Sequence, residues 1–280
     1  MKILMISSEV LPFAKAGGLG DMVAALSAEL ERQGHEVRIV LPRYYSVDPG
    51  RLRRMEQPLG VPMGLEEEWC GVATSKLPGT EIPVYFLEHQ ALYGRDGIYG
   101  TRTEPEFSDN LRRFTLLSRG ALQLVKMLRW TPDVVHAHDW PAALAPVYLN
   151  TLERDGVFAD TGSVLTIHNL AHQGIFPKED IEHTLIGWEQ FHGAGFEYHD
   201  QLNVLKAGLR NSVVARDALT GGVLAKGIAS PATGYRYWFP DLLAGSYKMM
   251  AGTDLDGDGF FCEGGDACGW YGGSSESQAQ

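Results

Sequence analysis

Residues 1–209 read as an α/β fold, a parallel sheet with helices on both faces, and the rest as a short β-rich tail. Three observations carry this. Strand and helix signals alternate over the first 209 of 280 residues, which implies crossover connections and a parallel sheet. A glycine-rich loop, Lys15-Ala16-Gly17-Gly18-Leu19-Gly20-Asp21, separates the first strand signal from the first helix signal. After residue 209 the alternation gives way to short runs split by turns.

The apolar run Ile3-Leu4-Met5-Ile6 marks a first strand over 2–6. Helical apolar spacing predicts a helix over 19–33, ended by Gly34. A strand over 36–41 is stopped by Pro42. Residues 44–79 mix Pro, Gly and the acidic run Glu66-Glu67-Glu68, which suggests a β-hairpin excursion. Strand 82–87, helix 108–128, strand 133–138, helix 141–149 and strand 163–168 follow. Short strands are expected within 234–251, and there is no internal repeat.

The formal charge of −11 argues against a nucleic-acid binder, which normally shows a basic face. No run approaches the ~20 apolar residues of a membrane helix. The apolar start is very short and runs into Glu9, so it reads as a strand and not as an export signal. Cys70 stands alone, as a reduced thiol would. The expected setting is cytoplasmic, with no nucleic-acid or membrane partner.

In parallel sheets, ligands sit off the carboxyl ends of the strands. The polar residues placed there are Lys15, then His138 and Asp139, then His168 and Asn169. All should converge on one sheet edge. Adjacent glycines let backbone approach a ligand, and the following helix aims N–H groups and its positive dipole end at the loop. With Lys15 alongside, this suits a phosphate or pyrophosphate. A tight turn with a solvated lysine is the other reading. The loop is neither Gly-x-Gly-x-x-Gly nor a P-loop.

The order and spacing of several blocks resemble the bacterial glycogen synthases, the family of the plant starch synthases. Besides the loop, they include Gly34-His35-Glu36-Val37-Arg38, Tyr93-Gly94-Arg95-Asp96-Gly97-Ile98-Tyr99-Gly100 and Asp133-Val134-Val135-His136-Ala137-His138-Asp139-Trp140. The last are Thr166-Ile167-His168-Asn169-Leu170-Ala171-His172-Gln173-Gly174 and Leu205-Lys206-Ala207-Gly208-Leu209. The resemblance implies a Rossmann-like N-terminal half of a GT-B fold over residues 1–210. It also implies glucose transfer from ADP-glucose to the non-reducing end of an α-1,4-glucan, without a metal cofactor. Lys15, Gly17 and Gly18 match the motif that meets the donor diphosphate and sugar, with Asp21 beside them. Asp139 and His168 match active-site positions near the transferred sugar, and Asn169 follows in the same motif. The residue types suit the chemistry. A leaving diphosphate needs cations and N–H groups, and an oxocarbenium-like carbon needs nearby carboxylate and carbonyl oxygens.

Two departures touch the acceptor side. His172 stands where the family usually has tyrosine, and Pro141 where a polar residue is common. After residue 209 the family continues into a second domain with donor-binding arginine, lysine and glutamate, whose motifs this sequence does not show. The expectation is a half-enzyme inactive alone, with a non-catalytic glucan-binding or scaffold protein as the alternative.

Residues 211–271 read as a short β-rich module, of which 235–271 resemble a small β-domain at the end of some secreted bacterial proteins, and 272–280 read as disordered. Asp254, Asp256 and Asp258 alternate before Gly259, a spacing that aims three carboxylates at one cation, calcium being the expected ion. A solvated acidic turn fits the same pattern. Gly265 stands where an EF-hand needs an acid, leaving Glu263 or Asp266 as later ligands. Cys262 and Cys268 would pair only if exported. The two halves thus point to different compartments, as in a chimaera.

Overall fold

The computed structural model describes residues 1–64, 66–153, 156–193, 195–212, 249–252 and 268–271. The chain opens with β1 (Lys2–Ile6), exposed at Lys2 and buried at the next four residues. A strand buried on both faces belongs in the middle of a helix-covered sheet. α1 (Leu19–Arg32) follows the glycine loop, with Asp21 in its first turn and Arg32 in its last complementing the helix dipole. Gly34, at φ +86°, turns the chain out of the helix and into β2 (Glu36–Pro42).

β3 (Arg53–Arg54), β4 (Leu59–Met63) and β5 (Glu66–Lys76) form the antiparallel excursion. β4 pairs with β5 from Leu59↔Cys70 to Met63↔Glu66, and Gly64 turns at φ +69°. β6 (Pro83–Glu88) lies antiparallel to β5 and parallel to β2. The short α2 (Gln90–Tyr93) precedes α3 (Asn110–Met127), which is buried along nearly its whole length. β7 (Val134–His138) runs directly into α4 (Asp139–Ala142) and α5 (Leu144–Asn150), and β8 (Gly162–Thr166) completes the main sheet. α3 packs against β4, α4 and α5.

The sheet order is β3-β5-β6-β2-β1-β7-β8, with β4 on β5. The five strands from β6 to β8 are parallel. The chain winds outward from β1 to β2 and β6, then crosses back to β7 and β8. The order therefore reverses between β1 and β7, and ligands of such sheets bind at that crevice. The loops after β1, β7 and β8 leave the sheet side by side there.

A second small sheet joins β9 (Ile175–Pro177), β10 (Glu197–Tyr198) and β11 (Gln201–Asn203) in the order β10-β11-β9. α6 (Val204–Arg210) packs on α5 and α4. In the tail, β12 (Met249–Gly252) pairs antiparallel with β13 (Cys268–Tyr271). Asp254, Asp256, Asp258, Cys262 and residues 272–280 lie outside the described residues. Among the described residues, no helix is long and apolar enough to cross a membrane.

The structure shifts two expected elements. Strand 163–168 ends at Thr166, which leaves His168 in the following turn. Helix 141–149 starts earlier, at Asp139, and breaks at Ala143 into two pieces.

Candidate active site

At the carboxyl end of β1 sits Glu9, a buried acid that the sequence reading did not single out. Its Oε2 accepts the backbone N–H groups of Ala16 at 2.6 Å and Gly17 at 2.9 Å. Its Oε1 accepts the Tyr99 hydroxyl at 2.7 Å. Burial pushes the Tyr99 phenol far above its usual range, so it stays a neutral donor. Glu9 thus draws the glycine loop and the 93–100 segment together.

This corrects one detail of the loop. The N–H of Gly17 turns inward to Glu9 and is spent there. The N–H groups of Gly18 and Leu19 make no hydrogen bond among the described residues. A Cβ placed on Gly17 or Gly18 would meet nothing within 4 Å, so the loop borders open space. Gly20 differs, since its Cβ would lie 3.2 Å from the Ala14 carbonyl oxygen. Its role is close packing. Lys15 Nζ reaches Asp21 Oδ2.

At the end of β7, Asp139 adopts φ +56°, a left-handed conformation that aspartate tolerates better than most residues. The turn aims its carboxylate across to the β8 side. Oδ1 accepts the backbone N–H of His168 at 2.7 Å and of Asn169 at 3.3 Å. Burial pushes the Asp139 carboxyl up, against those two donors, and pulls the His168 imidazole down. β1, β7 and β8 are adjacent parallel strands, so the loops that follow them, carrying Glu9, Asp139 and His168, share one crevice. Lys15, Gly18, Asp139 and His168 are therefore gathered on the expected edge. Asn169 is exposed and its side chain accepts from the N–H of Ala171.

Next to this crevice is a cavity of about 130 Å³, lined by Asn110, Trp140, His172, Gly174 and Phe176 among others. The Trp140 ring lies on the Gly174 backbone, where a Cβ would come within 2.6 Å of it. Phe114 meets the same ring edge-on at 4.9 Å. Of the two sequence departures, His172 lines the cavity, whereas Pro141 is buried inside α4.

Residues 2–215 match the family model described as the starch synthase catalytic domain. The chain belongs to the starch synthase catalytic domain family.

Within that family it is 45% identical to a glycogen synthase of Treponema denticola, over 84% of this chain and 48% of the relative. It is 45% identical to glycogen synthase 1 of Geobacter sulfurreducens, over 84% of this chain and 47% of the relative. The catalytic domain of starch synthase IV from Arabidopsis thaliana, solved bound to ADP and acarbose, superposes with a TM-score of 0.68 at 26% identity. That match covers 76% of this chain and 44% of the other. The chain thus spans about half the length of the curated relatives it matches, and its fold is the N-terminal half of the family's GT-B arrangement.

Glu9 and Tyr99 are the residues of this candidate site that sequence reasoning passed over, whereas His138 was already placed on the expected edge. Glu9 had a signal, since a carboxylate directly after a buried strand rarely goes uncompensated. Tyr99 had none, because only the fold brings it 90 residues back to Glu9.

Proposed function

We propose that this chain forms the donor- and acceptor-facing half of a glucosyltransferase. It uses ADP-glucose and extends the non-reducing end of an α-1,4-glucan. The observation that carries the reading is the open cradle at Gly17 and Gly18, set between Lys15, the first turn of α1 and the Asp139–His168 pair. Lys15 and the N–H groups of Gly18 and Leu19 meet the diphosphate as its charge grows. Asp139 stands by the transferred sugar, where a positive anomeric carbon develops. The aromatic cavity beside Trp140 receives the glucan. The starch synthase IV likeness, with its ADP and acarbose, supports this division of roles. The cytoplasmic setting expected from the sequence goes with it.

The test is calorimetry. ADP-glucose should bind weakly to residues 1–280, and Lys15→Ala should remove that binding. Equal heats from both proteins overturn the reading. The cavity of Trp140, His172 and Phe176 also favours a second reading, a glucan-binding protein without turnover. Maltooligosaccharide binding that persists when ADP-glucose binding is nil in every variant would select it.

A further inference from the structure

His138 ends β7 with its imidazole wholly out of water. Its Nδ1 lies 3.1 Å from Nε2 of His168. Its Nε2 is buried and has no partner among the described residues. The two rings stack at 28°, with centroids 5.3 Å apart. His136 stacks on His138 at 24° and 4.2 Å, and its own Nε2 is 2.7 Å from the Thr166 hydroxyl. Removal from water pulls all three imidazoles below their usual value, His136 to about 4, so all three are neutral at neutral pH.

A neutral imidazole carries one proton on one of two nitrogens. The 3.1 Å contact therefore allows two arrangements. If His168 donates, the proton of His138 sits on Nε2, as a buried N–H with no acceptor. If His138 donates, only a bare lone pair is left there. Buried orphan N–H groups are rarer in proteins than under-used acceptors, so the second arrangement prevails.

We propose that His138 is a positioning residue that fixes His168 as its Nδ1–H tautomer. His168 Nε2 is then an acceptor toward His138. Its proton sits on Nδ1, the nitrogen that makes no hydrogen bond among the described residues. The imidazole thereby offers an N–H donor to an oxygen acceptor, such as a sugar hydroxyl or a phosphate. The nature of that acceptor rests on the glucosyl-transfer reading. The tautomer does not.

Nitrogen-15 NMR of the imidazoles tests this on residues 1–280 without ligand, above pH 7. His168 should show a protonated Nδ1 and a bare Nε2. The reverse pattern overturns the proposal. His138→Leu removes the donor and should return His168 toward the Nε2–H form that free imidazole favours. His138→Asn can place its amide N–H near the position of Nδ1 and should restore the Nδ1–H form. A His168 tautomer that is the same in all three proteins also overturns the proposal. If the leucine variant fails to fold, the wild-type and asparagine spectra decide. Adding ADP-glucose separates the two readings. An unmoved His168 signal counts against the acceptor assignment and leaves the tautomer standing.

Discussion

Lys15 Nζ and Asp21 Oδ2 are 2.6 Å apart, with side chains 45% and 47% exposed. The cation that an anionic ligand needs is thus already held, by an exposed pair worth about 0–1 kcal/mol. A diphosphate has to displace that carboxylate. Asp21→Asn should therefore tighten ADP binding several-fold at low salt, and the gain should shrink as salt screens it. Calorimetry at two ionic strengths checks this, and weaker binding by the variant would show that Asp21 itself holds the ligand.

Glu9 is expected to order the loop before any ligand arrives. Glu9→Gln keeps one neutral oxygen for the N–H groups of Ala16 and Gly17 but puts an amide N–H against the Tyr99 hydroxyl that now donates to Oε1, and the acceptor loses its charge. The loss should be about 1–3 kcal/mol in stability. Amide hydrogen exchange at Ala16 and Gly17 should quicken, whereas that in β2 should not. Tyr99→Phe, which removes one donor, should cost less, about 1 kcal/mol.

Arg113 is fully buried and holds the 93–100 segment in place. Its guanidinium donates to the carbonyls of Leu92 and Ile98, each at 2.7 Å, and to Asn110 Oδ1 at 2.6 Å. It also lies over the rings of Phe107 and Phe114. Arg113→Met keeps the bulk and strands these acceptors. A loss of about 3 kcal/mol or more is expected in denaturant unfolding, with weaker ADP binding because Tyr99 is released.

Acid should weaken the fold in two steps. Burial depresses the native pKa of His136, His138 and His168, whereas unfolded histidines titrate near 6.5. The unfolded chain therefore binds more protons below about pH 6.5, and stability falls from there toward pH 4. Glu153 follows. Burial raises its carboxyl, but Lys126 and Arg119 outweigh that and hold it below the usual value. Its contribution is full above the unfolded carboxylate pKa and is lost as pH falls through the depressed native one. Melting curves from pH 8 to 3 check both steps. His136→Gln should flatten the first and spare the second.

Much of this arrangement was legible because it repeats along the chain. Residues 3–6, 36–41, 133–138 and 163–168 alternate with helical runs, which implies a parallel sheet and sends Lys15, Asp139 and His168 to one edge. A hairpin within 44–79 announced itself through Pro, Gly and the acidic run 66–68, and the structure puts its turn at Gly64. What stayed hidden depends on contacts far apart in sequence. Glu9 meets Tyr99, and His138 meets His168, only across the folded sheet. β9 to β11 are two or three residues long, too short for any period to show. The left-handed Asp139 starts α4 where a Pro141 start was expected, because one φ angle decided it.

β1 has a consequence for biosynthesis. Its partner on the crevice side is β7, and the backbone N–H of Lys2 is tied to Asp133, 131 residues further on. At about 5–20 residues per second, the ribosome needs on the order of ten seconds to deliver that partner. During that delay β1, apolar over its last four residues, waits with one unpaired edge, a template for a neighbouring polypeptide on the same message. Expression yield should therefore depend on chaperone supply and on translation speed between codons 42 and 133 more than on the stability of the finished sheet.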